Sequence, residues 1–234
     1  MIGRRVAHED RVRAWEIAAA LLRYPDAALL AALPQIAAAA GELRGEPARE
    51  VAALARAWSA RELLDLQREY VEVFDLDRRS ALHVSWHRYG DKRQRGVVLL
   101  GLKRRFEAHG FTPAGEELPD WLPMMLEFAA RAPEPAGLEM LEAWRPSIEL
   151  IRRTLRDAGR DQVAILDLVS AVLPKLGGGV EKAIARLLAE GPPDEDVGLE
   201  PYGPDSEMGL LSGDLLPGEL PAGVLGPEPT GVPR

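Results

Sequence analysis

The stretch ALHVSWHRYGDKRQRGVVLLGLKRRFEAHGF, residues 81–111, holds three of the chain's four histidines. His83, His87 and Asp91 follow at four-residue spacing, which on one continuous helix would align them as metal ligands. Gly90 and Asp91 have the character of a helix junction, so the alignment is expected to break before the aspartate. The preferred expectation is structural. His83 and Asp91 hydrogen-bond across a junction that also contains His87, Gly90, Arg95 and Gly96, Asp91 caps the next helix, and no metal or cofactor is bound. A metal site built from His83, His87 and Asp91 stays open as the alternative. No GxSxG, P-loop or HExxH pattern occurs, so hydrolytic and nucleotide chemistry have no sequence support. Glu116, Glu117, Asp120 and Glu127 supply carboxylates whose spacing equally suits a solvated helix start. Arg88, Lys92, Arg93, Arg95, Lys103, Arg104 and Arg105 lie mostly off the apolar stripe. They predict a wet face, or a surface for an anionic partner or the chain's own acidic tail.

The elements that must position these groups read as helices, because apolar residues recur at three- and four-residue spacing from about residue 10 to residue 190. Trp15, Ala18, Ala19, Leu21 and Leu22 share one face of a first helix that ends before Pro25. Asp26 is placed to cap a second, alanine-rich helix ending at Gly41. A third spans about 48–58, and Ser59 with Glu62 has the pattern of a capping box opening a fourth. That fourth helix carries Leu63, Leu66, Tyr70, Val73 and Phe74 as its stripe. A fifth follows Asp91 with Val97, Val98, Leu100, Leu102 and Phe106 inward. Further helices are expected from Pro119 or Pro123 onward, over about 135–158 with an interruption at Pro146, over about 160–173, and over about 180–188.

The formal net charge is −8, and its location matters more than its size. Residues 191–234 contain nine acidic residues and one basic residue, Arg234, so the preceding 190 residues are balanced. The same segment holds nine prolines and nine glycines, a composition that predicts a disordered tail behind a single all-α domain over 1–190. A balanced body argues against nucleic acid as a partner. The chain has no cysteine, which removes disulfides, thiolate metal sites and a Cys nucleophile. No segment approaches the roughly 20 consecutive apolar residues of a membrane span, and Arg4-Arg5 is followed by charge rather than by a signal core, so a cytoplasmic chain without stable membrane association is expected.

Taken together, LHVSWHRYGDKRQRG, the following ELPDWLPMMLEF and the upstream LLDLQREYVEVFD resemble the NarJ-type assembly chaperones of respiratory nitrate reductase, a branch of the TorD-like all-helical family. The resemblance runs from about Trp15 to Leu188. It implies a TorD-like helical bundle that binds the N-terminal region of the nitrate reductase catalytic subunit and assists molybdenum-cofactor insertion, without being an enzyme. It also allows transient contact with the molybdenum cofactor or its delivery machinery, and a client that is another molybdoenzyme. Other branches carry Glu-Pro-Asp-His with a later Glu; here Pro119 and Asp120 match, while Trp121 and Met125 replace the other two positions. The expected client surface is Tyr70, Phe74, Glu117, Pro119, Asp120, Trp121, Leu122, Met125 and Phe128. Methionine and aromatic side chains adapt to different apolar ligands, and the acids meet a basic peptide.

Overall fold

The computed structural model describes residues 6–113, 115 and 117–190. The acidic tail expected to be disordered, residues 191–234, and Glu116 lie outside the described residues. Among the described residues the secondary structure is helical, with α1 His8–Leu21, α2 Ala27–Glu42, α3 Glu46–Ser59, α4 Leu63–Tyr70, α5 Trp86–Tyr89, α6 Arg93–Ala108, α7 Leu122–Arg131, α8 Ala136–Ala143, α9 Arg145–Asp157, α10 Val163–Val172 and α11 Gly178–Glu190. A single π-helical turn, Val71–Asp75, continues α4.

Helix α1 is the central strut, packing on α2, α7 and α10, while α3 pairs with α2 and α10, and α9 with α10 and α11. Its predicted face is inward: Trp15, Ala18, Ala19, Leu21 and Leu22 are all buried. Alanine on α1, α2 and α3 lets these helices approach closely, and the hydrophobic core then runs continuously from Ala14 to Leu173. Asp26 caps α2 as expected, its Oδ1 accepting the Leu29 amide at 2.7 Å. The capping box expected at Ser59 and Glu62 does not form. Ser59 is the last residue of α3, and its hydroxyl donates back to the Arg56 carbonyl, while Glu62 precedes α4 without a side-chain cap. A hydroxyl in the last turn finds a free carbonyl nearer than the next helix's amides.

Pro146 divides the long segment into α8 and α9 and sits at the start of α9, where its missing N–H costs nothing. Gly137 permits the close crossing of α8 on α7: a Cβ there would lie 2.5 Å from the Ala129 carbonyl oxygen. Behind α9 a fully buried Glu149 accepts from Arg145 Nε at 2.8 Å, Ser170 Oγ at 2.8 Å and Arg152 Nε at 2.6 Å, and Arg152 also reaches Asp167 at 2.7 Å. Every lone pair of a buried carboxylate that is satisfied this way offsets its desolvation. No helix among the described residues is long and apolar enough to cross a membrane.

Candidate functional site

The His83 segment and the Asp120 segment form one antiparallel clip, with an isolated bridge between His83 and Trp121. The Val84 amide donates to the Asp120 carbonyl at 3.0 Å, and the Leu122 amide to the Leu82 carbonyl at 2.9 Å. Inside this clip the Asp120 side chain is completely buried. Its Oδ1 lies 3.0 Å from His83 Nδ1; its Oδ2 accepts from the Ser85 amide at 3.3 Å, the Ser85 hydroxyl, and Arg95 Nη2 at 3.4 Å. Burial alone would push the Asp120 carboxyl up, but His83, Ser85 and Arg95 together hold it below the usual carboxylate range. Arg95 also donates to Ser85 Oγ at 3.1 Å and stacks over the Trp86 ring, 5.7 Å from its centroid. One carboxylate thus ties the start of α7 to α5 and α6.

The other junction residues divide between roles. His87 is buried and its Nε2 lies 2.8 Å from the Ala81 carbonyl, which can only accept, so Nε2 carries the proton. Burial pushes the His87 pKa down to about 4. Gly90 ends α5 at φ +52°, where a side chain would be strained. Asp91 is exposed and does not cap α6; Lys92 occupies that position with extended backbone and no side-chain cap. Arg93 through Gly96 begin α6 without an acceptor at the N-cap, and Gly96 faces open space. Among the described residues no group of three or more His, Asp or Glu side chains gathers as a metal site. The four-residue spacing of His83, His87 and Asp91 fails to align them because α5 contains only Trp86–Tyr89.

In front of the clip lies a cleft of about 490 Å³, lined by Tyr70, Phe74, Glu117 and Trp121 of the expected set. Arg23, Tyr24, Asp75, His83, Phe111, Pro113, Met124 and Glu127 complete most of its wall. Tyr70 stands at the centre: its ring meets Tyr24 edge-on at 5.3 Å and Phe74 at 5.1 Å, and its hydroxyl is 3.4 Å from the Leu22 carbonyl. Burial, then the negative charges of Asp75 and Glu117, push the Tyr70 phenol far up, so it stays neutral. Burial also raises the Asp75 carboxyl, against the pull of His83. On the opposite rim Arg23 pairs with Glu127 at 2.9 Å and lies 5.8 Å above the Trp121 ring.

The remaining expected client residues stand elsewhere. Leu122, Met125 and Phe128 have no exposed surface; α7 turns them into the core, where Phe128 packs on Phe106 at 4.8 Å. Pro119 occupies the turn before Trp121, and Asp120 lies behind the cleft wall. Helix α7 begins at Leu122; Leu122, Met125 and Phe128, at three-residue spacing, share its inward face, while Trp121 and Met124 line the cleft. Sequence reasoning did not assign Arg23, Tyr24, Asp75 or Phe111 to the site. Tyr24 before Pro25 was the available sequence signal; the π turn that ends at Asp75 shows only in the structure, where such turns recur at functional positions.

The described residues thus form an all-helical scaffold with one cleft whose wall is aromatic and edged by acids. Residues 26–161 match the family described as nitrate reductase delta subunit, and the chain belongs to that family. It is 31% identical over 172 residues to the probable nitrate reductase molybdenum cofactor assembly chaperone NarJ of Bacillus subtilis, covering 72% of this chain and 92% of that relative. It is 32% identical over 156 residues to NarJ of Escherichia coli K12, also named a nitrate reductase molybdenum cofactor assembly chaperone, covering 65% of this chain and 66% of the relative. Nitrate reductase-like protein NarX of Mycobacterium tuberculosis H37Rv is 32% identical over 148 residues, which are 22% of that relative.

Proposed function

We propose that the chain is a NarJ-type chaperone, not a catalyst, that assists molybdenum-cofactor insertion into a nitrate reductase by holding the N-terminal region of its catalytic subunit. The observation that carries this reading is the cleft framed by Tyr24, Tyr70, Phe74, Trp121 and Met124, with Asp75 and Glu117 at its edge. Its aromatic floor suits the apolar face of an amphipathic helix, and its acids, which enter no ion pair with a described residue, suit the basic residues such a helix carries. Holding the segment requires no bond-making: the client is kept accessible while its cofactor is loaded, and then released. The names of the relatives support a nitrate reductase as the client, and the reading places the chaperone's action in the cytoplasm.

Titrating the purified chain with a synthetic peptide from the client's N-terminus tests the reading. Saturable binding with Kd at or below about 10 μM, roughly 7 kcal/mol, is expected. Absence of saturation at about ten times that concentration overturns it.

A further inference from the structure

Helix α6 presents a face that nothing among the described residues covers. Between Lys92 and Phe106 the sequence has six basic residues and no acidic one. Lys92, Arg93, Lys103 and Arg104 are exposed and enter no ion pair with any described residue. Leu100, expected in the inward stripe, instead lies 49% exposed among them, one turn from Gly96, beside which a Cβ would meet no atom within 4 Å. This is a cationic helix face with an apolar centre. Such a face wants an anionic segment that also carries apolar side chains.

We propose that the α6 face is the docking site for the chain's own acidic segment, residues 191–234. The charges are complementary: Lys92, Arg93, Lys103 and Arg104 are exposed on or beside α6, and the segment carries nine acids against one arginine. Four of those acids, Asp194, Glu195, Asp196 and Glu200, follow within ten residues of Glu190, and Met208, Leu210 and Leu211 follow as an apolar group suited to Leu100. The point of departure matches too. Leu187 and Leu188, near the end of α11, share a cleft of about 370 Å³ with His87 of α5, and α5 leads into α6 through three residues. Four residues of extended chain span about 13 Å, and the rest of the segment extends its reach well beyond that. The inference is independent of the client cleft and stands or falls without it.

The chain's four lysines make the test internal. Lys92 and Lys103 flank the α6 face, while Lys175 and Lys182 precede or lie in α11, closer in sequence to the acidic segment; all four are exposed. The full-length chain is treated with a zero-length carbodiimide reagent, which joins lysine amines to carboxylates, as an equal mixture of ¹⁴N- and ¹⁵N-labelled protein. Single-label crosslinks from the acidic segment to Lys92 and Lys103 are expected to exceed those to Lys175 and Lys182 several-fold. They should fall about fivefold between about 0.01 M and about 1 M salt, as the screening length drops from about 30 to about 3 Å. The exposed double variant Arg93→Gln/Arg104→Gln should lower the Lys103 crosslinks by about the same factor while leaving the helical circular dichroism unchanged. Crosslinks that favour Lys175 and Lys182, or that are mixed-label, would overturn the proposal. The first outcome means a segment sampling its own neighbourhood, and the second means docking between copies.

Discussion

Replacing Asp120 by alanine removes an acceptor from a site with no exposed surface and leaves His83, Arg95 and Ser85 facing a void. The cost is worked from what each abandoned donor can do next. Side chains of Arg95 and His83 keep 17% and 32% of their surface exposed, so water recovers most of their hydrogen bonding. Ser85 is fully buried, and its hydroxyl keeps only the Arg95 contact while its amide is left bare. One or two stranded donors at about 1 to 3 kcal/mol each, reduced by partial rehydration, give about 3 kcal/mol. For a chain of this size that is about 6 to 12 °C in Tm. Asp120→Asn keeps the volume and separates charge from shape, at about 2 kcal/mol. The pH dependence has a definite sign. A carboxyl held below its unfolded value, about 4, stabilises the fold above that value and loses the contribution as pH falls through its depressed folded pKa. The gap between wild type and Asp120→Asn in urea unfolding should therefore be constant from pH 7 to about 5 and close below about 4. A loss under about 0.5 kcal/mol for Asp120→Ala, within the range of ordinary surface changes, or a gap that does not depend on pH, would refute the description of Asp120 as the charge that holds the clip.

Other expectations follow from the same geometry. Trp121→Ala should weaken client-peptide affinity at least about tenfold, or 1.4 kcal/mol, with little change in Tm, as read by isothermal calorimetry; Asp120→Ala should weaken it more than His87→Ala, which leaves the clip intact. His87→Gln retains a donor for the Ala81 carbonyl and removes a ring whose folded pKa, about 4, lies below its unfolded value. Stability of the wild type should fall by up to about 1.4 kcal/mol per pH unit from about 6.5 down to about 4, and the variant should lack that slope. Gly137→Ala should cost about 1 to 3 kcal/mol by forcing α8 off the Ala129 backbone, measured by thermal unfolding.

Helix faces were legible in the sequence wherever spacing alone decides them. Trp15, Ala18 and Leu22 pointed inward because a regular helix leaves no other choice. On α7, apolar type placed Leu122, Met125, Phe128 and Trp121 together, and type alone does not separate a cleft wall from the core; Leu122, Met125 and Phe128 face inward and Trp121 lines the cleft. Leu100 misled in the opposite direction, being apolar yet half exposed among the described residues. What could not be read at all was the partnership of His83 with Asp120, since 37 residues separate them and the clip that joins them has no periodic signature.

The clip and the cleft are two sides of one wall. Trp121 reaches the cleft from the residue next to the buried Asp120, and His83 lines the cleft on one side while meeting that carboxylate with Nδ1. A binding surface keeps affinity by fixing its side chains before the ligand arrives, because every rotamer frozen on binding costs about 0.5 to 1.5 kcal/mol. Here part of that freezing falls to a charge-assisted network behind the surface, which holds Trp121 in place beside Tyr70, Phe74 and Met124 in the cleft wall. The two histidines whose types first invited a metal or catalytic reading, His83 and His87, act as hydrogen-bonding groups. The aspartate that matters is Asp120, which the chain brings to His83 through the fold, and Asp91 stays at the surface.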